Sequence, residues 1–532
     1  MEFVIIGSYL PFVWVIDKIS SKHTGVAWGV WAILNLLVAI LLIGNGVDIW
    51  MVAILIVLSM FTQIILRVVS EPRENIFRVP LNVKGGSAFI ENVSLGVMVT
   101  GASGSGKTTS VGRDILKHFA KHNFAGLIYD YKDFELTELA GTLFKESQIK
   151  GFDIFALHEP ELSVRINPVA PRFLTSENVL RGVMNTLFLN LEGEVKGERF
   201  FRDTAVGIAV GILWRLKKEY PQYCNIPFMV AMVLQVNALH DVQGNDRKAF
   251  AKLGRFIGGD WEAVMKSSSF VGGIDSEKQT ASVYSTLANT LQKLDFPNLF
   301  YLLSKDEYDL DIFRDDNRRV LSVVNQPGVE EEAILPINSI IVSMAMNNAR
   351  RGMAPAFLFI DEAYTLKLYR LVQWLATLRS FNVCTTYMIQ GFNLVTAQWN
   401  GHKEITNSIA TNLSTQFIGK INDTETAEYY EKFFEFVEIE QKSVSVGGFL
   451  GGGDKRVTHS RKERRKIRGY ELTQLNQGRF VMLSGGVDHK IQFVKESFAA
   501  YRPPKLRSVT PEEIRREYQR ICEEARNFIS NF

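Results

Sequence analysis

The stretch Gly101-Ala102-Ser103-Gly104-Ser105-Gly106-Lys107-Thr108 is a complete phosphate-binding loop, and it dictates the fold around it. The G-x-x-x-x-G-K-[ST] spacing has a physical reason at each position. Gly101, Gly104 and Gly106 let the backbone turn tightly and aim N–H groups at phosphate oxygens. Lys107 brings a cation to the β- and γ-phosphates, and the Thr108 hydroxyl is placed to ligate Mg²⁺. Ser105 and Thr109 belong to the same cradle. The apolar segment 95–99 reads as a strand entering the loop. Residues 109–118 read as a helix whose N-terminal dipole favours a bound anion. A strand, loop and helix of this kind require an α/β domain, and the expected ligands are ATP and Mg²⁺.

Upstream lie two uncharged apolar runs, 26–43 and 49–66, each 18 residues long. At about 1.5 Å per residue each reaches ~27 Å, close to the hydrocarbon thickness of a bilayer. Residues 44–48 (GNGVD) join them, so an antiparallel transmembrane hairpin is expected. Lys18, Lys22, Arg67, Arg73 and Arg78 flank it on the outside, and the turn carries only Asp48. Positive flanks place both ends, and the nucleotide domain, in the cytoplasm. The apolar segment 3–16 contains Gly7 and Pro11 and is too short to span comfortably. It reads as interfacial or packed, with a third crossing as the alternative, and its Met-Glu start does not suit a signal peptide.

The net charge of +3 rests on 60 basic against 57 acidic residues, so any basic surface has to be local. Cys224, Cys384 and Cys522 are sparse, widely spaced and odd in number. They form no disulfide framework and no metal pattern, which suits a reducing compartment.

Beyond residue 75, short apolar strands alternate with amphipathic helices. Strands are expected at 94–100, 125–130, 152–157, 319–325, 356–361, 382–389, 415–420 and 479–484. Continuous apolar strands of this kind are buried on both faces, in a mostly parallel sheet. The alternation stops between about 175 and 300, where the periodicity is helical. The organisation is therefore read as a membrane anchor over 1–72 and a nucleotide-binding domain in two parts, 73–174 and 301–505. Residues 175–300 form an inserted all-α domain and 506–532 a C-terminal helix.

The strand at 356–361 ends in Asp361-Glu362. In nucleotide hydrolases such an Asp holds the Mg²⁺ shell, and the following Glu polarises the attacking water. Gln390 ends the next apolar strand. Its amide suits orienting water or sensing a γ-phosphate, and equally an ordinary polar strand terminus. Arg379 is read on the helix between these strands, either as a solvated helix residue or as an arginine finger for a neighbouring subunit.

Taken in order, the hairpin, GASGSGKT, Asp130-Tyr131-Lys132, Arg165-Ile166-Asn167-Pro168, the helical insertion, FLFIDEA and Gln390 resemble the type IV secretion coupling proteins, on the TraD/TrwB side of that family. The resemblance covers nearly the whole chain. It implies a RecA-like homo-hexamer hung from a bacterial inner membrane. Such a ring works beside the secretion channel and its ATPases, and brings relaxosome DNA with its relaxase, or effector proteins, to them. It further implies catalytic roles for Lys107 and Glu362, an inter-subunit role for Arg379, and a role for Gln390 at the nucleotide. Asp361 and Thr108 would serve the Mg²⁺. Asp130 and Lys132 match a D-x-K placed near the nucleotide or a subunit boundary, and Asn167-Pro168 a turn into the all-α domain. The five-residue extracytoplasmic turn is shorter than in many relatives, so periplasmic contacts are expected to be small. No long acidic tail follows residue 532, so substrate recruitment is expected to rest on the all-α domain, the final helix or an adaptor.

One basic tract, 455–468, holds eight Lys or Arg in 14 residues and follows the glycine-rich 447–453. It is a candidate for DNA phosphates, as a translocation pore would need. A solvated hairpin loop, or one drawn to anionic lipid, fits it too. Two other functions stay open: a nucleotide-bound docking receptor without motor activity, and a membrane-tethered double-stranded DNA pump. The pump family usually carries more spans and a C-terminal DNA-reading domain, neither of which is visible here.

Overall fold

The computed structural model describes residues 74–532 apart from 193–198, 244–245, 268–276, 329–330, 447–454 and 498–500, together with residues 40, 43, 44, 46, 48–54 and 57. The chain divides into two compact units, Met1–Ile76 and Phe77–Phe532. In the first, residues 49–54 are helical, with Ile49, Trp50, Met51 and Ile54 exposed. Most of the expected hairpin at 26–43 and 49–66, and all of segment 3–16, lies outside the described residues. Among the described residues no helix is long and apolar enough to cross a membrane.

The second unit is built on a nine-stranded sheet. Its strands in sequence are β3 (Val97–Thr100), β4 (Ala125–Asp130), β5 (Gly151–Ala156), β6 (Arg319–Val324), β7 (Ala356–Ile360), β8 (Val383–Ile389), β9 (Thr415–Ile418), β12 (Arg479–Ser484) and β13 (Val487–Gln492). Their order across the sheet is β13-β12-β9-β3-β8-β7-β4-β6-β5. The seven strands from β9 to β5 are parallel, and β12 and β13 are antiparallel additions at one edge. Every residue of β3, β4, β7 and β8 is buried, because helices cover both faces. Alternation along β7 shows the two layers. Phe357 stacks on Phe119 of α1 (Arg113–Lys121) at 4.9 Å and lies 5.8 Å from Phe144 of α2 (Glu135–Phe144). Leu358 and Ile360 point the other way, into a core that also holds Ile337 and Ile341 of the helix Glu331–Met346, between β6 and β7, and Leu187 and Phe188 of the first inserted helix.

Between β5 and β6 come the helices Glu177–Glu192, Arg199–Glu219, Ile226–Gln243, Asp246–Gly258, Trp261–Lys266, Glu277–Gln292 and Pro297–Leu303. The C-terminal helix Pro511–Ser530 packs on this block. It starts at a capping box of Thr510 and Glu513 with Pro511 in its first turn. It buries Ile514, Ile521, Ala525 and Ile529, and Phe528 makes edge contacts with Tyr220, Tyr223, Phe228 and Phe256.

Five features depart from the sequence reading. Two short strands, β1 (Val79–Leu81) and β2 (Ala88–Ile90), form a ribbon of their own, and β13 was not expected. Residues Val93–Leu95 make a 3-10 turn capped by the Asn92 side chain, so β3 starts at Val97. The segment after the phosphate loop opens with a wide π turn, Thr108–Gly112, closed by the Gly112 N–H to the Lys107 carbonyl at 3.0 Å. The α-helix begins only at Arg113. Last, 455–465 of the basic tract is a strand, β11 (Lys455–Arg465), paired in register with β10 (Phe436–Val446). Lys and Arg come here in adjacent pairs, Lys455-Arg456, Arg461-Lys462 and Arg464-Arg465, so no apolar alternation marks the strand in the sequence.

Candidate functional site

Parallel strands deliver all their carboxyl ends to one edge of the sheet, where α/β folds bind ligands. Here that edge collects the phosphate loop after β3, Asp130 and Lys132 after β4, Asp361 and Glu362 after β7, and Gln390 after β8. The loop is tied down on three sides. Gly101 N–H donates to the Ile389 carbonyl at 3.0 Å, Ala102 N–H to Lys420 at 2.7 Å, and Gly478 N–H to the Ser105 carbonyl at 2.9 Å. Gly104 and Gly106 have φ of 75° and 89°, a region that side chains avoid. A Cβ on Gly106 would also lie 3.3 Å from the Gly478 nitrogen. The segment before β12 therefore clasps the loop, a contact with no sequence signal. Ser105, Lys107 and Thr108 are buried, and Thr109 is exposed. Helix α1 is moored by a fully buried Arg113 paired with Asp114 at 2.7 Å, while Asp114 also accepts the Asn82 N–H at 2.6 Å.

Four charges meet in the centre. The Lys107 ammonium donates to the Gly101 carbonyl at 2.7 Å and stands 3.8 Å from Glu362 Oε1. Lys132 Nζ lies 2.8 Å from the same oxygen, close enough for an ion pair though not aligned as a hydrogen bond, and 3.9 Å from Asp361 Oδ2. Asp361 and Glu362 are almost wholly buried, and Asp361 Oδ1, Glu362 Oε2 and Ser105 Oγ have no hydrogen-bond partner among the described residues. Orphaned buried acceptors of this kind are rare and mark a place for a ligand. Burial pushes the Asp361 carboxyl up to about 7, with the Lys132 cation opposing it. Burial also lowers the Lys107 ammonium, against Glu362 and Asp361. At Lys132 burial works downward too, but the two carboxylates outweigh it and hold the ammonium above its ordinary value. Glu362 sits at φ 42° and ψ 52°, a left-handed conformation that a non-glycine residue adopts at a cost of about 1–3 kcal/mol.

This arrangement fits a Mg²⁺ nucleotide. Among the described residues no group of three His, Cys, Asp or Glu side chains could cage a metal. Mg²⁺ does not need one, since one or two protein oxygens plus phosphates and waters satisfy it. Asp361, with its free oxygen, and the buried Thr108 supply such oxygens.

Other residues expected at the site fall in different places. Gln390 is on the same edge, its Nε2 donating to the Tyr364 hydroxyl at 3.3 Å. Arg379 is not. It lies in the 3-10 turn Leu378–Phe381 that leads into β8, not on an α-helix, exposed and with its guanidinium in no ion pair or hydrogen bond among the described residues. It lines a cavity with Ser94, Gly96 and Asn412, all near strand beginnings. Seven residues of β8 at about 3.3 Å each separate it from Gln390 by roughly 20 Å. Asp130 is scaffolding. Its buried carboxylate accepts from Lys132 N–H at 3.0 Å, Thr137 N–H at 2.8 Å and the Thr137 hydroxyl at 2.7 Å. Asn167 and Arg165 serve the joint to the helical block, through the Cys224 carbonyl at 2.8 Å and the Tyr301 carbonyl at 2.9 Å. The direct partnership of Lys132 with Glu362 has no signal in the sequence, because it depends on β4 lying beside β7.

The family model for type IV secretory system conjugative DNA transfer matches residues 66–491. No curated protein sequence matches the chain. Among solved structures, the bacterial conjugative coupling protein TrwBdeltaN70 in an unbound form is similar, with TM-score 0.60 and 16% identity over 81% of this chain and 92% of that one. Plasmid coupling protein TrwB in complex with the non-hydrolysable ATP analogue ADPNP gives TM-score 0.57 and 14% identity over 77% and 87%. The same protein with ADP and Mg²⁺ gives 0.57 and 15% over 77% and 87%. At such identities the likeness speaks for the fold alone.

Proposed function

Because this chain belongs to the type IV secretory system conjugative DNA transfer family, we propose that it is the coupling ATPase of such a system, held in a bacterial inner membrane by the apolar runs 26–43 and 49–66. In this reading it works as a homo-hexamer, gathers DNA with its relaxase or protein substrates, and drives their transfer with Mg²⁺ and ATP. The observation that carries the reading is the convergence of Lys107, Asp361 and Glu362 on one sheet edge, buried and with acceptor oxygens left open. Complexes of TrwB with an ATP analogue, and with ADP and Mg²⁺, support the choice of ligand.

Each residue then has a task. Loop N–H groups and Lys107 hold the phosphates. Asp361 and Thr108 would hold Mg²⁺, which when bound would neutralise charge on the transferred phosphoryl group. Glu362 takes the proton of the attacking water, and Gln390 orients that water from the neighbouring strand. The deciding experiment is ATP hydrolysis by the detergent-solubilised full chain, with and without DNA, beside Lys107→Ala. Turnover that DNA stimulates and the variant lacks would support a DNA-coupled motor. Nucleotide binding without turnover in confirmed oligomers would favour a docking receptor instead.

A pH effect follows from Asp361. Between the ordinary carboxylate pKa near 4 and its own value of about 7, the folded protein holds a proton that the unfolded chain has lost. Stability from this group therefore falls as pH rises through that window. Mg²⁺ competes with the same proton, so its affinity is expected to rise about tenfold per pH unit below 7 and to level off above. Mg²⁺ titrations of a fluorescent ATP analogue complex at pH 6 and pH 8 check this. Equal affinities at the two values would remove Asp361 as the metal's carboxylate.

A further inference from the structure

Both cations beside Glu362 make their nearest approach to the same oxygen, Oε1, and Oε2 has no hydrogen-bond partner among the described residues. Lys107 belongs to the phosphate loop, and in the proposed reaction it serves the phosphates. Its 3.8 Å approach to Glu362 cannot also be its working contact. Lys132 belongs to no phosphate loop, and its other carboxylate, Asp361, is farther away at 3.9 Å. It stands at the end of β4, beside β7 in the sheet, and its Nζ is the nearer cation at 2.8 Å.

The chain around Lys132 is built to hold that position. Its N–H is bonded to Asp130, and Asp130 is fixed by Thr137 through two further bonds. The next two residues, Asp133 and Phe134, both adopt left-handed conformations, at φ 44° and 71°. Asp133 N–H is bonded to the Asn325 carbonyl at 3.1 Å, at the end of β6. Two consecutive non-glycine residues in this region face a third, Glu362 at φ 42°, across the site. Strain of this kind persists only where the surroundings over-determine it. Together the two turns set Lys132 between the carboxylates, 2.8 Å from Glu362 Oε1 and 3.9 Å from Asp361 Oδ2.

We infer that Lys132 is a positioning residue for Glu362, holding its carboxylate at the attacking water's place while Lys107 is engaged with phosphate. The inference rests on the ATPase reading above. A buried carboxylate with a free Oε2 and no fixed partner would follow Lys107 as that side chain moves. With Lys132 attached, Oε1 stays anchored and Oε2 remains open for water. Lys132 is itself 29% exposed along its side chain, so it reaches in from the rim and does not belong to the packed core.

The test is a double-mutant cycle in the full-length chain, using Lys132→Met, which keeps the aliphatic stem, and Glu362→Gln. Lys132→Met is expected to lower kcat by about 10²-fold, the effect of a misplaced catalytic group. Binding of a fluorescent ATP analogue with Mg²⁺ should change by less than about threefold, since no phosphate contact is lost. Added to Glu362→Gln, the lysine substitution should cost nothing more, because residues acting as a unit are not additive. Lys132→Arg, which keeps a cation, should recover at least about tenfold over Met. A second arm needs no turnover. Lys132→Met should lower the melting temperature, and Glu362→Gln on that background should raise it again by removing a buried charge that has lost its nearer cation. An unchanged kcat, a loss that multiplies with Glu362→Gln, or a loss of nucleotide affinity equal to the loss of kcat would overturn the inference. If the wild-type chain hydrolyses no ATP, the ATPase reading falls. The melting cycle still decides the pairing, and a double variant no more stable than Lys132→Met would refute it.

Discussion

Glu362→Gln is expected to lower ATP turnover by about two to four orders of magnitude, the usual worth of a general base, with Mg²⁺-nucleotide affinity nearly unchanged. The amide is isosteric, so it fits the fully buried site and inherits the same left-handed backbone. What it loses is the carboxylate's basicity, including that of Oε2, which has no hydrogen-bond partner among the described residues. Single-turnover hydrolysis beside equilibrium binding of a fluorescent analogue separates the two quantities. A variant that still hydrolyses at the wild-type rate would show that Glu362 is not the base. Gln390, already on the same edge, would then be the first residue to examine.

Arg379→Ala is expected to cost about 10³-fold or more in kcat, the range seen for arginine fingers, and the loss should be repaired only between subunits. The geometry makes this specific. Arg379 lies at the amino edge of the sheet, roughly 20 Å along β8 from the edge that carries the phosphate loop. It cannot reach its own chain's nucleotide. A ring in which one subunit's amino edge meets the next subunit's carboxyl edge would bring it there. Mixing Arg379→Ala chains with Lys107→Ala chains should then restore part of the activity, because some interfaces pair an intact loop with an intact arginine. Hydrolysis measured across mixing ratios, in oligomers shown to be mixed, reads this directly. No recovery would mean that Arg379 acts within its own chain's stability and not on a neighbour's nucleotide.

Much of the nucleotide site is legible in the amino-acid sequence. Gly101 to Thr108 is contiguous, so its spacing alone carries the loop's shape. The apolar runs that form β3, β4, β5, β6, β7, β8, β9 and β12 lie mostly in the interior of the sheet, and burial of that kind leaves a mark in composition. Elements held by polar pairing or by a neighbour are harder to see. The ribbon β10–β11 has too many charges to read as strand. The π turn at Thr108–Gly112 uses ordinary residues, and only the i+5 bond from Gly112 to Lys107 distinguishes it.

By itself the sequence determined the phosphate loop, the acidic strand end at Asp361-Glu362, the interruption of the sheet by a helical block, and the apolar runs at the N-terminus. All of these are local patterns, written in residues that are neighbours along the chain. Tertiary structure decided which of the charged residues meet. Lys132 pairs with Glu362 because β4 and β7 are adjacent in the sheet, and the Gly478 segment clasps the loop because β12 folds back onto β9. Arg379 is turned away from Lys107 because the two stand at opposite ends of parallel strands. Strand order is set by packing across hundreds of residues, and no local spacing encodes it.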